Sequence, residues 1–129
     1  MEGPAPEPEP EPAAGSQMQR PVSGQIIRPY SSRNEGIDIA ASAGTSIRAA
    51  DDGEVAAITR DTDQVPILVL RHSGNLLTVY ANIQNIRVER GDRITRGQVI
   101  ADVGDGDPAA LHFEVRRGFE AIDPTPFIQ

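Results

Sequence analysis

Pro66-Ile67-Leu68-Val69-Leu70-Arg71-His72-Ser73-Gly74-Asn75-Leu76-Leu77-Thr78-Val79-Tyr80-Ala81-Asn82-Ile83 decides the fold. An almost continuous apolar run from Pro66 to Arg71 meets four turn-forming residues, His72 to Asn75, and a second β-prone run follows from Leu76 to Ile83. Two antiparallel strands around a short turn are predicted. The same alternation of short apolar runs and turn residues recurs along the chain. Gly24 to Arg28 reads as a strand closed by Pro29, and Ser46 to Ala50 as an extended piece. Asp51-Asp52-Gly53 gives a hairpin signal into Glu54 to Thr59, and Val99 to Val103 and Leu111 to Arg117 are further strands. A single turn of helix is expected at Gln84-Asn85, a loop at Gly104 to Pro108, and a closing segment at Phe127-Ile128. Sustained 3.6-residue apolar periodicity is missing throughout. The expectation is an all-β, compact antiparallel domain. With two tyrosines, three phenylalanines and no tryptophan, its core must be mostly Ile, Val, Leu and Ala.

The chain's 129 residues leave room for one domain and a tail. Residues 1–19 combine five prolines with four glutamates, no arginine and no long apolar run, so they cannot bury enough surface to offset their ordering entropy. They read as a disordered Pro/Glu-rich linker, extended at about 3.1 Å per residue, with the folded domain over 20–129. The net charge of −7 and the scattering of arginines among acids exclude a nucleic-acid stripe. Lysine and cysteine are both absent, which removes disulfides and thiolate metal sites. No apolar run is long enough to span a membrane, and acidic Pro-rich sequence rather than a leader follows Met1. A cytosolic protein and a piece of a longer chain both remain open.

In Asn34-Glu35-Gly36-Ile37-Asp38-Ile39-Ala40-Ala41, Ile37 and Ile39 share one face of a strand and Asp38 and Ala40 the other. A carboxylate there needs a cation, a metal or hydrogen-bond donors. In Leu111-His112-Phe113-Glu114-Val115-Arg116, period two puts His112, Glu114 and Arg116 on one face, with Ala110 before them. Tyr80 and Asn82 likewise share a face of their strand, opposite Val79 and Ala81. If these rows line one groove, Asp38 and His112 can meet there. Three readings stand: an Asp-His or Asp-Arg pair that stabilises the sheet, a zinc site in which Asn34 is a poor third ligand, and a polar recognition groove. His72 is expected to cap backbone groups at a strand end. The acidic Gly104-Asp105-Gly106-Asp107 is no phosphate loop.

Three stretches, Asn34 to Asp38, Leu77 to Asn82 and Ala110 to Arg116, resemble the signatures of LytM-type (lysostaphin-like) zinc metallopeptidases. Framework turns at Ala43-Gly44-Thr45, Ala49 to Val55 and Gly91 to Gln98 extend the likeness over about Pro21 to Phe127. The resemblance implies a duplicated hybrid motif of β-strands. It places the family's metal ligands on Asn34, Asp38 and His112, and its two catalytic histidines on Asn82 and Ala110. Neither asparagine nor alanine exchanges a proton near neutral pH. The implied protein is therefore a degenerate, non-catalytic domain without zinc, similar to amidase-activating LytM factors of the NlpD and EnvC type. In that likeness Asn34, Asp38, Tyr80, Asn82, His112, Glu114 and Arg116 line a groove for a periplasmic peptidoglycan amidase. Arg116 is its favoured contact. The setting implied is the cell envelope, in septal wall splitting during division, with the domain a monomer that inserts in no membrane. Two alternatives accompany it: a residual zinc-dependent peptidoglycan endopeptidase, and a module that binds peptidoglycan directly. The Asp52 to Val55 and Val88 to Gln98 stretches also resemble biotinyl and lipoyl carrier domains, which need a lysine that this chain lacks.

Overall fold

The computed structural model describes residues 18–128. Its strands are β1 (Ile26–Arg28), β2 (Ile37–Ala40), β3 (Ser46–Arg48), β4 (Gly53–Arg60), β5 (Pro66–Arg71), β6 (Leu76–Ala81), β7 (Ile83–Gln84), β8 (Arg93–Ile94), β9 (Val99–Val103), β10 (Ala110–Arg117) and β11 (Glu120–Ile122). Short 3-10 turns occupy Ser73–Asn75 and Thr125–Phe127. The larger sheet runs β1-β2-β10-β6-β5-β4-β8, with β11 added along β10, and the smaller runs β3-β9-β7. All pairings are antiparallel. The domain is all-β, as the run-and-turn pattern predicts.

Alternation sorts the larger sheet into two faces. Ile37, Ile39, Leu111, Phe113, Val115, Leu68 and Leu70 are buried on one, in a single cluster with Ile47, Ile100 and Val103 of the smaller sheet. Their neighbours in sequence, Asp38, His112 and Glu114, point to the other. The register then fixes who meets whom. Asp38 lies opposite His112 across β2 and β10, and Arg28 lies opposite Asp38 across β1 and β2. Gly36 permits this close pairing, because a Cβ there would collide with the Phe113 carbonyl.

Four expectations change. Asp51-Asp52-Gly53 does not close a hairpin, because β3 pairs with β9 while β4 pairs with β5 and β8, so the turn carries the chain between sheets. The strand from Leu76 breaks at Asn82, whose φ of 60° is left-handed, and the helical turn expected at Gln84-Asn85 is instead β7 followed by a left-handed Asn85. Of the linker expected over 1–19, residues 1–17 lie outside the described residues. Met18 and Gln19 belong to the fold: their amides donate to the carbonyls of Phe127 and Ala50, both at 2.8 Å, and Met18 is buried.

Candidate functional site

On the outer face of β2 and β10 the charged side chains form one alternating chain. Arg28 Nη1 lies 3.4 Å from Asp38 Oδ2. His112 Nδ1 is 2.6 Å from Asp38 Oδ1, and His112 Nε2 is 2.8 Å from Glu114 Oε2. Arg116 Nε donates to Glu114 Oε1 at 2.8 Å, and its Nη2 to Glu35 Oε1 at 2.9 Å. From Arg28 to Glu35 the sign alternates at every step. Such a ladder follows from the sequence, because period two puts 112, 114 and 116 on one face and the register adds Asp38 and Arg28 beside them.

The ladder sets the protonation of its members. The hydrogen bond to Glu114 holds the His112 imidazole above its usual range, against the opposing effect of burial and with further help from Asp38. Burial pushes Glu114 up, but hydrogen bonds from His112 and Arg116 outweigh it and leave the carboxyl below its usual value. Asp38 and Glu114 thus take opposite nitrogens of one ring. Among the described residues no group of three His, Cys, Asp or Glu side chains is arranged to hold a metal.

Beside the ladder opens a cleft of about 500 Å³ lined by Arg28, Arg33, Asn34, Asp38, Asn82, Pro108, Ala110 and His112. Asn34 is buried, with its amide donated to the Pro29 carbonyl at 3.1 Å. Asn82 donates to the Ala110 carbonyl at 2.7 Å. Two larger clefts, of about 610 and 570 Å³, lie around Arg71 at the β4 and β8 end. His72 borders one of them but has both ring nitrogens committed, to the Asp52 carbonyl at 2.6 Å and the Thr78 hydroxyl at 2.7 Å. It closes a strand end as the sequence suggests.

Of the groove residues read from the sequence, Asn34, Asp38, Asn82 and His112 come together at the cleft, and Glu114 and Arg116 extend from it along β10. Tyr80 does not join them. It is fully buried on the core face, where its ring lies 5.5 Å from that of Phe113 and its hydroxyl accepts the Ala50 amide. Burial pushes its pKa up to about 12. Arg116 is also placed differently from expectation: its fork is already filled by Glu114, Glu35 and the Phe119 carbonyl. Arg28, Arg33 and Glu35 were not singled out from the sequence. The signal for Arg28 was its place at the end of the strand that precedes Asp38, legible only once β1 and β2 are known to pair.

Peptidase family M23 matches over residues 32–124. The uncharacterized lipoprotein YgeR of Escherichia coli (strain K12) is 36% identical over 114 residues, 84% of this chain and 45% of that protein. The murein hydrolase activator NlpD of the same organism is 29% identical over 114 residues, 84% of this chain and 30% of its own length. Helicobacter pylori Csd3 in its hexagonal crystal has a TM-score of 0.80 at 28% identity, covering 90% of this chain and 34% of that one. The chain thus spans less than half the length of these curated relatives. With strands β2 to β11 inside the matched range and the LytM-like sheet around the Asp38 and His112 pair, the chain belongs to peptidase family M23.

Proposed function

We propose that this chain is a non-catalytic M23 domain of the cell envelope that binds and activates a peptidoglycan amidase. The observation that carries the reading is the closed ladder around His112. The ring is the cleft's one imidazole among the described residues, and both its nitrogens are engaged by carboxylates at 2.6 and 2.8 Å. A ring so held has no free nitrogen with which to accept a proton from a nucleophilic water. The positions that the LytM likeness assigns to catalytic histidines carry a carboxamide, Asn82, and a methyl group, Ala110. Zinc fits this donor set poorly: Asp38 and His112 are bonded to each other, and Asn34, the third position, faces the Pro29 carbonyl. No zinc-dependent step is therefore assigned.

What remains is a polar cleft with a charged wall, suited to recognition. The similarity to the murein hydrolase activator NlpD favours an amidase as the partner. Within the ladder, Glu35 is the most exposed acid, with 66% of its side chain accessible, and it occupies Arg116 much as a carboxylate from a partner would. Exchange of Glu35 for such a carboxylate would leave the rest of the ladder intact.

The test is release of dye from labelled sacculi by the amidase with and without the full chain. Release should occur only in the mixture and fall by about tenfold or more with Arg116→Ala, since truncated arginine hot spots commonly cost that much. Metal analysis of the purified chain should give zinc well below one equivalent. Release by the chain alone, with stoichiometric zinc, would overturn the reading in favour of an endopeptidase.

A further inference from the structure

Phe119 is 99% exposed, whereas Tyr80 and Phe113 are fully buried and Tyr30 and Phe127 pack against the core. It occupies the two-residue loop of the β10 and β11 hairpin, in which Arg117 pairs with Glu120 and Gly118 takes a φ of 62°. Loops of this kind favour Gly, Asn, Asp and Ser, which satisfy the turn without leaving apolar surface in water. The phenyl ring gains nothing from the fold.

Nor is the tip loose. The Gly118 amide donates to the Asn75 carbonyl at 2.9 Å, Arg116 Nη1 to the Phe119 carbonyl at 3.1 Å, and the Tyr30 hydroxyl to the Ala121 carbonyl at 3.1 Å. A hairpin backbone held in place before docking loses little freedom on binding, and aromatic residues and arginine are enriched at protein interfaces. We propose that Phe119 is an apolar anchor through which the chain docks on its amidase, entering an apolar pocket of that enzyme.

This inference rests on the amidase-activation reading. Continuity selects the occupant, because Arg116 bonds both Glu114 of the ladder and the Phe119 carbonyl, so one side chain joins the tip to the ladder that leads from the cleft. A lipid surface is the weaker fit: a single ring on a chain of net charge −7 offers little hold on an anionic bilayer.

The experiment is calorimetric titration of the purified amidase with the full chain, its Phe119→Ser variant and its Phe119→Leu variant. Phe119→Ser should weaken binding by about tenfold or more, while Phe119→Leu stays within about threefold. Both variants should keep the wild-type melting temperature. Unchanged affinity in Phe119→Ser, with the wild type binding, removes the anchor and leaves amidase activation standing. Failure of the wild type to bind removes the activation reading itself. Flotation with phosphatidylethanolamine and phosphatidylglycerol vesicles that Phe119→Ser abolishes, at unchanged amidase affinity, overturns the proposal in favour of lipid.

Discussion

The Tyr80 hydroxyl joins segments that are far apart in sequence. It accepts the Ala50 amide at 3.1 Å and is hydrogen-bonded to the Thr78 hydroxyl at 2.9 Å, which in turn meets His72. Every polar atom in that chain is taken out of water, so each needs its partner. Tyr80→Phe keeps the ring packing and strands the Ala50 amide. We expect a loss of about 1–3 kcal/mol in equilibrium denaturation, the cost of an unsatisfied buried donor, with binding to the proposed amidase partner unchanged. A matching loss of binding without loss of stability would put Tyr80 back at the cleft. The residue pair Tyr80 and Asn82 also marks the limit of what was legible here. Period two assigns them one face, and the left-handed turn at Asn82 separates them, a backbone choice that asparagine tolerates but does not announce. Asp38, His112 and Glu114 were legible because they sit inside uninterrupted strands.

At the scale of the element, β10 pairs with three strands, β2, β6 and β11, and also bears the ladder. Protonated His112 supports it fully below the unfolded value of 6.5, and this support is lost as pH rises through the higher folded value. Ionised Glu114 supports it above 4.5, and this support is lost as pH falls through the lower folded value. Both contributions are whole between those two limits. Glu114→Gln should therefore cost about 1–3 kcal/mol near pH 5.5, as for hydrogen bonds to charged groups, and less near pH 9. Denaturant midpoints of the two proteins across that range test it. A constant gap would mean that His112 carries no charge in the fold. The strands themselves were legible to unequal degrees. The bounds of β5 and β9 follow from apolar runs between turn residues, while β8 has only two residues and β11 shows no alternation, so pairing alone defines them.

Across the whole molecule, the two ends of the described chain meet. Met18 bonds Phe127, Gln19 bonds Ala50, and the Arg48 amide donates to the Pro21 carbonyl at 2.9 Å, so the segment from Met18 to Val22 laces the C-terminal turn to the smaller sheet's β3. Met18, Val22 and Ile128 lie in the same core cluster as Ile37 and Phe113. Composition put Met18 and Gln19 in the tail because a lone methionine among polar residues carries no period, and only its contacts reveal it as core. Met18→Ala should then behave as a core truncation, lowering stability by about 2–5 kcal/mol. The ladder lies on the outer face of the larger sheet, so the same variant should leave the affinity for the proposed amidase partner unchanged at temperatures where it is folded. Thermal melting with calorimetric binding reads both quantities on one preparation. A stability loss of less than about 0.5 kcal/mol, typical of surface positions, would return Met18 to the tail.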